Sequence, residues 1–131
     1  MILLDENIVA DERDKLLRWR IPFKQIGVEV CEKGIKDEQI IPFLLTLTFP
    51  TFFTQDQRFY KKHLCHDGYS IVLLDVKRYK AAAYLRRFLQ HPVFRAKKQR
   101  RGLVLRLSIE GISFWTKKSE KEIHTFWSDD V

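Results

Sequence analysis

A chain of 131 residues, 45% hydrophobic and 31% charged with five Gly and four Pro, has the balance of one globular domain and excludes fibrous and disordered chains. No apolar run approaches the roughly 18–20 residues needed to span a bilayer, and acidic residues stand where a secretory leader would be basic, so a cytoplasmic protein with no membrane partner is expected. The net charge of +7 is concentrated in the middle: residues 57–101 hold 13 basic against 2 acidic side chains, residues 1–56 hold 7 against 10, and residues 102–131 hold 4 against 5.

Ile2-Leu3-Leu4 is a continuous apolar run ending in Asp5-Glu6-Asn7, the pattern of a short buried parallel strand. Asp11, Glu12 and Asp14 ahead of Leu16, Leu17 and Trp19 predict a helix that stops before Pro22. Ile26, Val28 and Val30 alternate at period two and predict a second strand. Gly34 marks a turn, and Asp37 is expected to N-cap a helix with Ile40, Ile41, Leu44 and Leu45 on one face, kinked or delayed by Pro42. Residues 50–54 predict a third strand ending in Gln55-Asp56, and residues 70–74 a fourth ending in Asp75.

A helix over 78–90 follows, with Ala82, Leu85, Phe88 and Leu89 inward, Arg86 and Arg87 outward, and Pro92 closing it. Residues 103–105 and 112–115 flank Glu110-Gly111 and predict a C-terminal hairpin or two edge strands. From about residue 119 the chain reads as a polar tail, with Phe126 and Trp127 folding back onto the body. There is no repeat, low-complexity tract or linker, so residues 1–131 read as a single domain. Alternating strands and helices predict an α/β fold with right-handed crossovers, and ligands gather at the carboxyl ends of parallel strands near the reversal of strand order.

Three of the predicted strands run into an aspartate: Asp5, Asp56 after one glutamine, and Asp75. Parallel strands would bring these carboxylates to one edge, with Asp37 on the same side. Converging carboxylates raise one another's pKa, so such a cluster persists only with a cation or as partly protonated acids. Mg²⁺ or Mn²⁺ suits an all-oxygen site, and one or two such ions could activate water for in-line attack on a phosphodiester. Asp5, Asp37, Asp56 and Asp75 are the metal candidates, and the first three the catalytic ones.

The basic centre is the footprint expected of a surface that meets RNA or DNA beside those acids. Its contacts fall to Arg58, Lys61, Lys62, Arg86, Arg87, Lys97, Lys98, Arg100 and Arg101. Read more plainly, a charge run is a solvated face. Tyr60, Tyr69 and Tyr79 either stack on bases or pack.

Ile2-Leu3-Leu4-Asp5-Glu6-Asn7, the segment Gly34 then Lys36-Asp37-Glu38-Gln39-Ile40, and Phe53-Thr54-Gln55-Asp56-Gln57-Arg58-Phe59 together resemble three ordered signature blocks of the short PIN-like proteins. The resemblance covers about the first sixty residues. It implies a three-layer α/β/α fold around a mostly parallel sheet, commonly ordered 3-2-1-4-5. It also implies Mg²⁺-dependent ribonuclease activity, often as the toxin of a toxin-antitoxin pair, which would add an antitoxin-like protein to the partners. On that likeness Asp5, Asp37 and Asp56 fall on metal-site positions, with Glu6 or Asp75 as supplements. The chain departs from the family at Arg58, where the block often carries a second aspartate. That departure motivates an alternative: a module whose catalysis has lapsed and which binds nucleic acid or an acidic protein partner. The sequence leaves the substrate and any homo-oligomer open.

Plainer readings stand beside these. Asp5 suits a strand-end turn, Asp37 an N-cap, Asp75 a helix start, and Glu6 and Glu38 solvated positions. His63, Cys65 and His66, with Cys31 distant, lack the paired-ligand spacing of zinc sites, and two cysteines are too few for a disulfide framework.

Overall fold

The computed structural model describes residues 1–127. The run Ile2–Leu4 forms β1 with Leu3 and Leu4 fully buried on opposite faces, as a two-sided central strand requires. Next come α1 (Ala10–Arg18), β2 (Lys24–Gln25), α2 (Asp37–Leu44), β3 (Thr51–Thr54) and β4 (Ser70–Leu74). The second half holds α3 (Ala81–Leu89), α4 (Lys97–Arg100), β5 (Val104–Leu107), β6 (Ile112–Trp115) and β7 (Ile123–Thr125). Single 3₁₀ turns occupy Gln57–Phe59, Lys62–Leu64 and Arg78–Lys80. No helix among the described residues is long and apolar enough to cross a membrane.

The strands join in one sheet ordered β2-β1-β3-β4-β5-β6-β7, parallel from β2 to β5, with β6 and β7 added antiparallel. The α/β class, the mostly parallel sheet and the C-terminal hairpin agree with the sequence pattern. The five parallel strands run 2-1-3-4-5 in place of 3-2-1-4-5, because the chain returns over β1 directly after β2.

Helices cover both faces, giving three layers. Leu16 of α1 and Ala81, Ala82, Leu85 and Phe88 of α3 pack with Leu4, Phe53, Val72, Leu105 and Trp127. On the opposite face Ile40 and Leu44 of α2 pack with Leu3, Phe52, Ile71 and Val104, joined by Phe59, Cys65 and Tyr69 from the β3–β4 connection. Each fully buried aliphatic side chain contributes about 1.5–3 kcal/mol. Pro42 lies inside α2 at its sixth residue, and the helix continues through it to Leu44.

Three expectations are corrected. Residues 26–30 do not form a strand: Gly27 takes φ 84° and turns the chain back, so Ile26 and Val30 meet only in an isolated bridge and Val28 is exposed. The Glu29 carboxylate then pairs with Arg13 and accepts from the Gln25 amide. Second, the crossovers do not share one hand. α1 leads to the β2 edge and α3 leads the opposite way from β4 to β5, yet both lie over the same face, so the α3 connection is opposite in hand to those through α1 and α2. A buried strut holds it: the Glu12 carboxylate accepts from the Ala82 amide at 3.1 Å and pairs with Lys15 at 2.7 Å. Third, the tail is not merely polar, since Ile123–Thr125 pairs with β6 by backbone bonds that its sequence does not advertise. Trp127 is buried and its indole donates to the Ser108 carbonyl at 2.8 Å, whereas Phe126 stays exposed.

Candidate functional site at the strand ends

From β1 the chain runs to β2 at one side and then returns to β3 at the other, so strand order reverses between β1 and β3. That reversal opens a crevice at the carboxyl ends of these strands, where ligands gather in open α/β sheets. Asp5 leaves the end of β1 there, its amide bonded to the Phe53 carbonyl at 2.8 Å. Its side chain is 7% exposed. One carboxylate oxygen accepts from the Glu6 amide at 2.7 Å and the other from the Thr54 hydroxyl at 2.6 Å. Burial pushes the Asp5 carboxyl above the usual range; the Thr54 and Glu6 donors oppose the rise, and the charges of Asp56 and Asp37 add to it.

Asp56 follows β3 and caps the 3₁₀ turn by accepting from the Arg58 amide at 3.0 Å. That turn brings the Arg58 guanidinium back over the same carboxylate, with Nε 3.0 Å from Oδ1 and Nη2 2.7 Å from Oδ2. The Arg58 guanidinium holds the Asp56 carboxyl below its ordinary range. The same Nη2 lies 2.7 Å from Oδ2 of Asp37. Asp37 is free to make this pair because it is the first helical residue of α2, not its N-cap; Lys36 occupies that position, its amide donating to the Gln39 side chain.

Asp5, Asp37 and Asp56 are thus brought to one place, and Asp75 is not. Asp75 pairs with Arg106 of β5, both Nε and Nη2 at 2.8 Å, beside Tyr60 and Lys61. Glu6 is no solvated bystander: its carboxylate accepts from the Gly34 amide and fixes that turn. Sequence reasoning missed Thr54 as the donor to Asp5. A hydroxyl at the last position of a strand adjoining a predicted carboxylate is the signal that would have found it. It also gave Arg58 a contact with nucleic acid, whereas the two-residue spacing Asp56–Arg58 across a tight turn favours the internal pair.

The basic candidates disperse. Arg100 is 5% exposed and donates to Thr51, Phe94 and Arg95, so it does not lie on the open surface. Lys97, Lys98 and Arg101 accompany it near the start of β3, about 10 Å along the sheet from the acids, not beside them. Arg86 lies 3.7 Å over the Trp19 ring and Arg87 4.4 Å over that of Trp127, so both serve the helix face instead of pointing freely outward. Lys61 and Lys62 remain exposed, Lys62 within 6.0 Å of the Trp115 ring. Tyr60 and Tyr69 are used internally, donating to Glu122 and to the Leu64 carbonyl, and burial pushes Tyr69 up to about 12; Tyr79 is exposed.

The carboxylates offer the oxygen chemistry of a hard divalent ion, but as placed they hold a guanidinium: both oxygens of Asp56 and one of Asp37 are engaged by Arg58. Among the described residues no group of three or more His, Cys, Asp or Glu side chains is set to hold a metal, and Cys65 instead donates to the Trp115 carbonyl. No family model, curated protein or solved structure matches the chain.

Proposed function

We propose that the chain is a PIN-like module that binds RNA without cutting it while Arg58 occupies its acidic cleft. The Arg58 bridge between Asp37 and Asp56 carries this reading. It supplies from within the chain the positive charge that converging carboxylates need, at the position where a Mg²⁺ or Mn²⁺ would have to sit. Binding then rests on exposed cations, Lys61 and Lys62 on one side of the cleft and Lys97, Lys98 and Arg101 at the far edge, and is salt-sensitive. An acidic protein, such as an antitoxin-like partner, is the competing occupant of the same surface.

A Mg²⁺- or Mn²⁺-dependent ribonuclease, of the kind that serves as a toxin, is the second reading. One observation favours it: three aspartates converge at the point of strand reversal, and the arginine that closes them is 76% exposed on its side chain. Withdrawal of Arg58 would leave Asp5, Asp37 and Asp56 to hold the ion, whose chemistry is to activate water.

One assay separates the two. Radiolabelled RNA is incubated with the wild-type chain and with Arg58→Asp, with Mn²⁺ and with EDTA. The binding reading expects retention of RNA that weakens with salt and no cleavage by the wild type. Mn²⁺-dependent cleavage by the wild type, abolished by Asp5→Asn, refutes it in favour of the ribonuclease. Failure both to bind and to cleave RNA at low salt refutes both.

A further inference from the structure

At the opposite edge of the sheet from the acids, a cleft of about 490 Å³ opens between the starts of β1 and β2 and the segment leading into α4. Its size lies within the range of small-ligand pockets. It is lined by Ile2, Phe23, Lys24, Arg95, Lys97 and Arg100 together with Met1 and Pro22, four cationic side chains and no carboxylate. None of the four forms an ion pair among the described residues.

Arg100 is the unusual member. Buried charges are ordinarily paired with an opposite charge, yet Arg100 is 5% exposed and all its partners are neutral. Nε donates to the Thr51 hydroxyl at 3.1 Å, and Nη1 donates to the carbonyls of Phe94 and Arg95 at 3.0 and 2.9 Å. Nη2 donates to none of the described residues. The three neutral acceptors fix the planar fork and leave its charge uncompensated. A purely structural tie between α4 and β3 could be made by a neutral donor; it needs neither a guanidinium nor a ring of further cations around it. A fixed guanidinium whose Nη2 amino group is free, flanked by flexible ammonium groups, is the arrangement that recognises a phosphate.

We infer that this cleft is a phosphate-binding site, with Arg100 as its fixed floor and Lys24, Arg95 and Lys97 as its closing cations. The ligand is a phosphate group, free or carried on a nucleic acid as a terminal monoester or an internal diester. The inference does not rest on the acidic cleft at the other ends of these strands, but it shares Lys97 with the RNA-binding surface proposed above, and the inorganic-phosphate arm of its test does not depend on that reading.

The test is an NMR titration of the full chain with inorganic phosphate at constant ionic strength, with Lys24→Ala/Lys97→Ala as the variant. Both lysines are exposed, so the fold is retained, whereas Arg100 substitutions would disturb it. Saturable shifts at the amides of Lys24, Arg95 and Arg100, with affinity about tenfold weaker in the variant, are expected. Shifts that do not saturate, or equal affinity in the two proteins, overturn the inference. RNA oligomers with a 5′-phosphate or a 5′-hydroxyl then give the source. Preference for the former identifies a terminal phosphate and equal binding an internal one, both supporting the site if the variant weakens them; oligomer binding indifferent to the variant overturns it for nucleic acid.

Discussion

Thr54→Val removes one hydroxyl and keeps the shape of the side chain, so it isolates the polar support of the acidic cleft. Thr54 is fully buried. Its hydroxyl donates to Asp5 at 2.6 Å and accepts from the Asp56 amide at 3.0 Å. A hydrogen bond to a charged group contributes about 1.5–3 kcal/mol, so a loss of roughly 2–3 kcal/mol is expected at neutral pH. At about 2.1 cal/mol/K of unfolding entropy per residue, the chain of 131 residues would melt about 7–11 °C lower. The loss should also depend on pH. Because the folded-state pKa of Asp5 is raised, its protonated form favours the fold; that contribution is full below the unfolded pKa and disappears as pH rises through the folded one. Removing the Thr54 donor, which opposes the rise, moves the folded pKa further up. The variant should therefore lose less near about pH 3, below the ordinary Asp value of about 3.9, where Asp5 is a neutral acid and chiefly the stranded Asp56 amide remains, than near about pH 8. Denaturant unfolding at both pH values, with carbon-detected titration of the Asp5 carboxyl, measures this. Equal losses at the two pH values, or an Asp5 midpoint that does not move upward, would refute the reasoning.

Two further outcomes test the framework. Glu12→Ala strands the buried Ala82 amide and should cost about 2–3 kcal/mol by denaturant unfolding, while Glu12→Gln, which keeps an acceptor, should cost less than half of that; equal costs would show that the strut is not a hydrogen bond. Trp127→Ala should cost about 3–5 kcal/mol, because the indole is 1% exposed and bonded to Ser108; a loss below about 1 kcal/mol would remove residues 123–127 from the cooperative core.

The strands β1, β3 and β4 were legible because each is a short run of apolar or small residues buried on both faces and ending in polar ones. Burial on both sides leaves no alternation to confuse. Residues 26–30 misled for the reverse reason. Their period-two pattern matches a strand, but Gly27 in its midst permits a turn that closes on Gln25, and one backbone dihedral outweighed the pattern. Strand β7 was invisible because Ile123, His124 and Thr125 join β6 through main-chain bonds and are not buried side chains. At the cleft, the meeting of Asp5, Asp37 and Asp56 followed from strand ends and helix starts. The fate of each charge did not, since it depends on which cation reaches it. Arg58 folds back over Asp56 within one turn, as their spacing favours, but its reach to Asp37 and the capture of Asp75 by Arg106 depend on tertiary packing and do not follow from counting residues.

The sheet ends in very short rims. Its outermost strands, β2 and β7, run for only two and three residues. Unpaired peptide groups on an outer strand are what recruit a neighbouring chain into a continuous ribbon, and so few of them give a second copy little to zip against. A contact made instead between side chains on the helical flanks would be sensitive to salt and to single substitutions in a way that ribbon extension is not.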